Sequence, residues 1–148
     1  MQPSSLRPSG MWSVRSFPSV TRPVAVLIVD DDRAGAEALA AVLALEGFRT
    51  TVIEGGPQAL RTPPTLRPHI VVLDIEMPVC DGFAVATAIR KSACFAAVPI
   101  IGYSSLDEAE VVERGREAQI DGFCRKGNTL HCLFELIEFM APVGPAGT

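Results

Sequence analysis

Four short stretches of the chain put oxygen and nitrogen chemistry at the ends of apolar runs. Asp30, Asp31 and Asp32 follow Val24-Ala-Val-Leu-Ile-Val, Asp74 follows His69-Ile-Val-Val-Leu, Ser104 follows Pro99-Ile-Ile-Gly-Tyr, and Lys126 follows Gly122-Phe-Cys-Arg. A carboxylate that leaves a buried strand and enters a Pro/Gly turn is held at the mouth of a sheet, facing a ligand. Asp74 does so in Asp74-Ile-Glu-Met-Pro-Val-Cys-Asp-Gly. Acids, a hydroxyl and an ammonium at successive strand ends describe a site for a phosphate and a metal ion.

Short β-branched runs alternate with helical patterns, the signature of βα units and a parallel sheet. Five pairs are expected. Strands are predicted over 24–29, 50–53, 69–73, 98–103 and 122–125, and helices over 33–46, 57–61, 83–92 and 106–118, with a last one starting at Leu130. Asp32 is placed to cap the first helix, Gly47 ends it, and Pro63-Pro64 cuts the second short. The fold expected is a five-stranded parallel sheet of order 2-1-3-4-5 with helices on both faces, flavodoxin-like and doubly wound. In that order ligands bind beyond the carboxyl ends of strands one and three, where Asp30, Asp31 and Asp74 meet.

Adjacent strands lie only about 4.8 Å apart, and two like charges near 4 Å repel by about 4 kcal/mol at an effective dielectric near 20. A divalent cation relieves that repulsion. Mg²⁺, or Mn²⁺ in its place, suits a site of oxygen ligands shared between carboxylates and a phosphate. Asp74 then keeps an oxygen free to attack phosphorus and form an aspartyl phosphate. Lys126 and Ser104 can neutralise and position the three equatorial oxygens.

Composition bounds the rest. The chain has 148 residues, 48% of them hydrophobic, enough for one core shielded on both sides of a sheet. Residues 1–23 carry Arg7, Arg15 and Arg22 and no acid, which leaves 10 basic and 17 acidic residues beyond them, a net charge of −7. That balance argues against nucleic-acid binding by the folded part. Cys80, Cys94, Cys124 and Cys132 lack metal-ligand spacing and are read as reduced, mostly buried thiols of a cytoplasmic protein. No run approaches membrane-spanning length. Residues 1–23, rich in Ser, Pro and Arg, are expected to be a disordered extension; a transit peptide, or a start at Met11, are the other readings. Residues 141–148 are expected to be a flexible tail.

Over residues 24–140 the chain resembles the receiver domain of a two-component response regulator. Val26-Leu-Ile-Val-Asp-Asp-Asp, Asp74-Ile-Glu-Met-Pro-Val-Cys-Asp-Gly, Pro99-Ile-Ile-Gly-Tyr-Ser and Asp121-Gly-Phe-Cys-Arg-Lys match the family's landmarks in order and spacing. The resemblance implies that Asp74 accepts a phosphoryl group from a phosphohistidine of a sensor histidine kinase or histidine phosphotransfer protein. It implies that Asp30 and Asp31 hold Mg²⁺ with Asp74, and that the Glu76 backbone carbonyl completes the protein ligands. Ser104 and Lys126 would contact the phosphoryl oxygens, and Phe123 stands where the family places a switch aromatic. The implied protein is a cytoplasmic single-domain regulator, not a turnover enzyme, that signals to a downstream protein without touching nucleic acid or membrane.

Departures from the family pattern accompany the match. Lys126-Gly127 replaces the usual Lys-Pro pair, so a trans peptide and a looser loop are expected, because a cis bond before Gly costs about 2.5–4 kcal/mol. Ser104 stands for the commoner Thr, Phe123 lacks a phenolic hydroxyl, and Gln119 occupies a position where a helix-ending Gly is usual. Glu76 and Ser105 flank the site. Blander roles are assigned to Asp32 as a cap, Asp81 as a turn residue with Gly82, and His69 and His131 as structural. Two other functions compete: a degenerate receiver that binds partners without phosphorylation, motivated by Lys126-Gly127, and a haloacid-dehalogenase-like phosphatase, motivated by Asp30-x-Asp32.

Overall fold

Alternating apolar residues along the central strands give the sheet two buried faces. In the computed structural model, which describes residues 7–61, 67–77 and 81–144, the strands are β1 (Ala25–Val29), β2 (Arg49–Ile53), β3 (Ile70–Asp74), β4 (Ile100–Ser104) and β5 (Gly122–Arg125). All pair in parallel in the order β2-β1-β3-β4-β5. The helices are α1 (Arg33–Leu45), α2 (Gly56–Leu60), α3 (Gly82–Lys91), α4 (Glu108–Glu117) and α5 (Leu130–Met140). Val26, Ile28, Ile70 and Val72 pack with Leu39 and Leu43 of α1 and Leu133, Leu136 and Ile137 of α5. Leu27, Val29, Val71 and Leu73 point the other way, toward Phe83, Val85 and Ile89 of α3 and Val111 of α4. This period of two over strands covered on both sides is what a doubly wound sheet requires.

Local signals place the helix starts. Asp32 accepts from Gly35 N at 3.2 Å and Asp81 from Ala84 N at 2.9 Å, so each caps its helix. Asp107 and Glu110 form a capping box at α4. Gly47, at φ 96°, ends α1 in the left-handed region. Gln119 takes φ 63°, and its carbonyl accepts two bonds from the Arg90 guanidinium at 3.1 and 2.8 Å, which holds a conformation that costs a non-glycine residue about 1–2 kcal/mol. His69 is structural as expected: its Nδ1 accepts from Ala25 N at 2.9 Å.

The expectation of a disordered extension fails over residues 7–23. Met11 bridges antiparallel to Gly122 on the outer edge of β5. Phe123 N donates to Gly10 O at 2.8 Å, and Trp12 N and Ser13 N donate to Asp121 O at 2.7 and 3.0 Å. Trp12 is buried in the core. Farther along, Val20 N bonds Pro142 O and Gly144 N bonds Val20 O, which fastens the start of the supposed tail as well. Edge pairing and one aromatic anchor order the segment; neither shows in average composition. Cys94 is exposed and Cys132 only half-buried, against the expectation of mostly buried thiols, while Cys124 is in the core. Residues 1–6, Pro63-Pro64, Pro78 to Cys80 and 145–148, on which other expectations rested, lie outside the described residues.

Candidate functional site

The acidic residues meet at the carboxyl ends of β1 and β3, where the strand order turns back. One oxygen from each of Asp30, Asp31 and Asp74 lies within 4.8 Å of the others. Asp30 is 5% and Asp74 3% exposed, while Asp31 faces solvent. Backbone amides orient the two buried groups: Asp32 N donates to Asp30 Oδ1 at 2.9 Å and Glu76 N to Asp74 Oδ1 at 3.0 Å. Gly82 lets α3 begin against this strand end, since a Cβ there would lie 2.5 Å from Asp74 O and 2.6 Å from Ile75 Cα.

Lys126 supplies the one cation that bridges the buried pair among the described residues. Its Nζ lies 3.3 Å from Asp30 Oδ2 and 3.5 Å from Asp74 Oδ1. Lys126 N donates to Ser104 O at 2.7 Å, which ties the residue after β5 to the end of β4. The Lys126–Gly127 peptide is trans, and Gly127 turns at φ 94°, yet the ammonium still reaches both carboxylates. The chain therefore needs no cis bond here.

One lysine does not balance the acids. Burial, then the hydrogen bond and charge of Asp30, push the Asp74 carboxyl up to about 7, against the opposing pull of Lys126 and Glu76 N. Burial disfavours the charge on Lys126, but Asp74 and Asp30 outweigh it and hold the ammonium above its ordinary range. The donors are all hard carboxylate oxygens, without His or Cys, which fits Mg²⁺ or Mn²⁺.

Ser104 and Phe123 stand apart from the acids. Ser104 Oγ donates to Glu76 Oε1 at 2.8 Å, and the same oxygen accepts from Ser105 N at 3.0 Å and Ser105 Oγ at 2.8 Å. These bonds hold the Glu76 carboxyl below its usual range. Glu76, considered in the sequence for its backbone carbonyl, thus uses its side chain to engage the two serines. Phe123 lies in the core with its ring stacked on Trp12, centroids 5.4 Å apart and planes 5° from parallel.

Two contributors escaped sequence reasoning. Tyr103 presents its ring to Lys126 Nζ, 5.5 Å from the centroid. Arg125 reaches Asp107 at 2.8 Å and Ser105 O at 3.1 Å, joining the end of β5 to the start of α4. Tyr103 could have been found from its place between Gly102 and Ser104 at a strand end. Nothing local marks Arg125.

A parallel sheet of order 2-1-3-4-5 defines the doubly wound α/β class, and the acidic triad and the lysine stand at the switch point where sheets of that class bind ligands. The family model for the response regulator receiver domain matches residues 26–138, and the chain belongs to that family. It is 38% identical over 101 residues to the DNA-binding response regulator MtrA of Mycolicibacterium paratuberculosis, a match covering 68% of this chain and 44% of that protein. It is 39% identical over 124 residues to the transcriptional regulatory protein PrrA of Mycobacterium tuberculosis, covering 84% and 49%. The chain thus spans under half the length of both regulators. Its fold matches the Vibrio cholerae chemotaxis protein CheY4 with a TM-score of 0.73 at 23% identity, covering 78% of this chain and 96% of that one. It also matches the receiver domain of the Pseudomonas aeruginosa sensor histidine kinase PA1611, whose structure holds a magnesium ion in its active-site cleft, with a TM-score of 0.70 at 24% identity and coverage of 77% and 93%.

Proposed function

We propose that this domain is a phosphoacceptor switch of two-component signalling. One observation carries the reading: Asp74, buried and undercompensated, shares the Lys126 ammonium with Asp30, and Asp31 stands beside them. An Asp74 oxygen attacks the phosphorus of a phosphohistidine on a sensor histidine kinase or phosphotransfer protein; the O–P bond forms, the N–P bond breaks, and the imidazole leaves. Lys126 neutralises the phosphoryl oxygens, and Ser104, released from Glu76, donates to them. Asp30, Asp31, Asp74 and the Glu76 carbonyl would hold Mg²⁺ or Mn²⁺, which when bound supplies charge neutralisation at the phosphoryl group. The aspartyl phosphate carries about −1.5 to −2 charge in place of the carboxylate's single charge, and with its added oxygens it shifts Ser104 and Phe123 and so changes a surface read by a downstream protein. The domain acts on itself rather than turning over an external substrate. Its acidic balance favours output through protein contact, in the cytoplasm, over direct contact with nucleic acid.

The degenerate-receiver reading loses its motive, since Lys126 is in place despite Gly127. The phosphatase reading needs Asp32 in the site, and that side chain caps α1 instead. Incubation with acetyl phosphate or a histidine kinase and Mg²⁺ tests the proposal. Stoichiometric label in the wild type and none in Asp74→Asn is expected; wild-type labelling of Asp74→Asn rejects Asp74 as the acceptor.

A further inference from the structure

The outer edge of β5 is occupied by the chain's own residues 10–15, and the contacts of that segment run to both arms of the site. β5 is the last strand of the sheet, and an unpaired edge is a template for an extended peptide. Gly10 to Ser13 fill it through the Met11–Gly122 bridge and three backbone bonds. The Trp12 ring lies flat on Phe123 and enters a notch in α4 at Gly115, where a Cβ would come within 2.1 Å of Trp12 Cζ3. Its Nε1 donates to Glu108 Oε2 at 2.7 Å. Arg15 closes the segment on Asp121 at 2.8 Å. Val14 between them is 91% exposed, so the hold concentrates in two side chains, the Trp12 ring with its bond to Glu108 and the Arg15 guanidinium on Asp121 and the Ala97 and Val98 carbonyls, plus three backbone bonds.

Those contacts fall beside the residues that must move. Glu108 lies four residues after Ser104, whose Oγ also accepts from Leu106 N at 3.0 Å. Phe123 lies three residues before Lys126, on the strand that delivers that lysine to the site. Transfer of Ser104 from Glu76 to a phosphoryl group would pull on Leu106 through the hydrogen bond from its N–H and so on Glu108, two residues on. Phe123, in the core cluster that Leu106 packs against, would then lose its stacking on the indole.

We propose that residues 10–15 are a releasable strand, docked in cis on the β5 edge when Asp74 is bare and let go when Asp74 is phosphorylated. The surface uncovered is a peptide-strand site with an aromatic notch at Gly115 and an acidic anchor at Asp121. This rests on Asp74 as the phosphoacceptor. Because binding linkage is reciprocal, a docked strand must also oppose loading of Asp74.

Trp12, the single tryptophan of the chain, reports its own release. Beryllofluoride with Mg²⁺ serves as the phosphoryl mimic, and loading is read independently from an Asp74-dependent fluorine resonance. On loading, Trp12 emission should move to the red and the Phe123 amide should exchange faster. Trp12→Ala should tighten beryllofluoride binding by about fivefold or more, within the usual range of allosteric coupling. Gly115→Ala should do the same, and because Ala favours a helix over Gly by about 1 kcal/mol, its effect comes from the expelled ring and not from a weakened α4. Loading without change in emission or exchange, with both variants within twofold of wild type, overturns the releasable strand and leaves the phosphoacceptor intact. Absence of the fluorine resonance overturns both. Emission of the bare protein that varies with protein concentration places the strand on a second copy and overturns docking in cis.

Discussion

Asp121 and Asp74 are buried carboxylates at opposite ends of the sheet, 2% and 3% exposed, and they are treated in opposite ways. Asp121 accepts from Arg15 Nε and Nη2, from Arg90 Nη2 and from Ile100 N, all between 2.8 and 3.0 Å. Asp74 receives one backbone amide and half of one lysine, with Asp30 pressed against it. The first group is saturated and serves as a fastening. The second is short of positive charge, which is the condition that the proposed uptake of a cation and a phosphoryl group requires. Burial alone does not mark a functional carboxylate; incomplete pairing does.

Removing the saturated group should cost most. Asp121→Ala strands Arg90, itself almost wholly buried, and frees Ile100 N, so urea unfolding should show a loss of about 3–5 kcal/mol, the usual result of breaking a buried pair. A loss under about 1 kcal/mol would erase the distinction between the two sites.

Asp74→Asn should act in the other direction. The folded-state Asp74 holds its proton to about pH 7, against an ordinary 3.8, so between those values the native state binds more protons than the unfolded one and stability falls as pH rises. Metal-free wild type at pH 8 then carries a penalty of up to about 4 kcal/mol, at about 1.4 kcal/mol for each unit between those two values. Asn removes it. In EDTA the variant should therefore melt higher than wild type at pH 8, the gap should close near pH 4, and Mg²⁺ should narrow it by stabilising the wild type. A variant that melts lower at pH 8 would contradict the shortage of charge at Asp74.

Arg15→Ala should lie between these and the surface. Its side chain is 37% exposed and Arg90 still holds Asp121, so about 1 kcal/mol is expected by denaturant titration. The smallest effect belongs to Glu37→Ala, which opens an exposed pair with Arg33 one helical turn away. It should change stability by no more than about 0.5 kcal/mol.

How far each region could be read from its residues follows the same division. β1 and β3 declared themselves because both their faces are buried, and an acid directly after such a run has only the strand mouth to occupy. Asp30, Asp31, Asp74 and Lys126 accordingly met as expected. The Asp32 cap was equally local, an N-cap before an amphipathic run. The segment from Arg7 to Pro23 was misread because its order comes from a partner strand more than 100 residues away in sequence, and from a notch that only Gly115 makes possible. The Asp121 clamp draws Arg15 from one end of the chain and Arg90 from the middle, and the Glu76 latch joins two loops. No periodicity encodes such meetings.

Gly82 gives the acceptor its mechanical character. The start of helix α3 packs against the carbonyl of Asp74 and the Cα of Ile75 more closely than any side chain at position 82 would permit. On the proposed function, a phosphoryl donor would meet a carboxylate whose strand end is braced by a helix, while the serine loop and the β5 edge would do the moving.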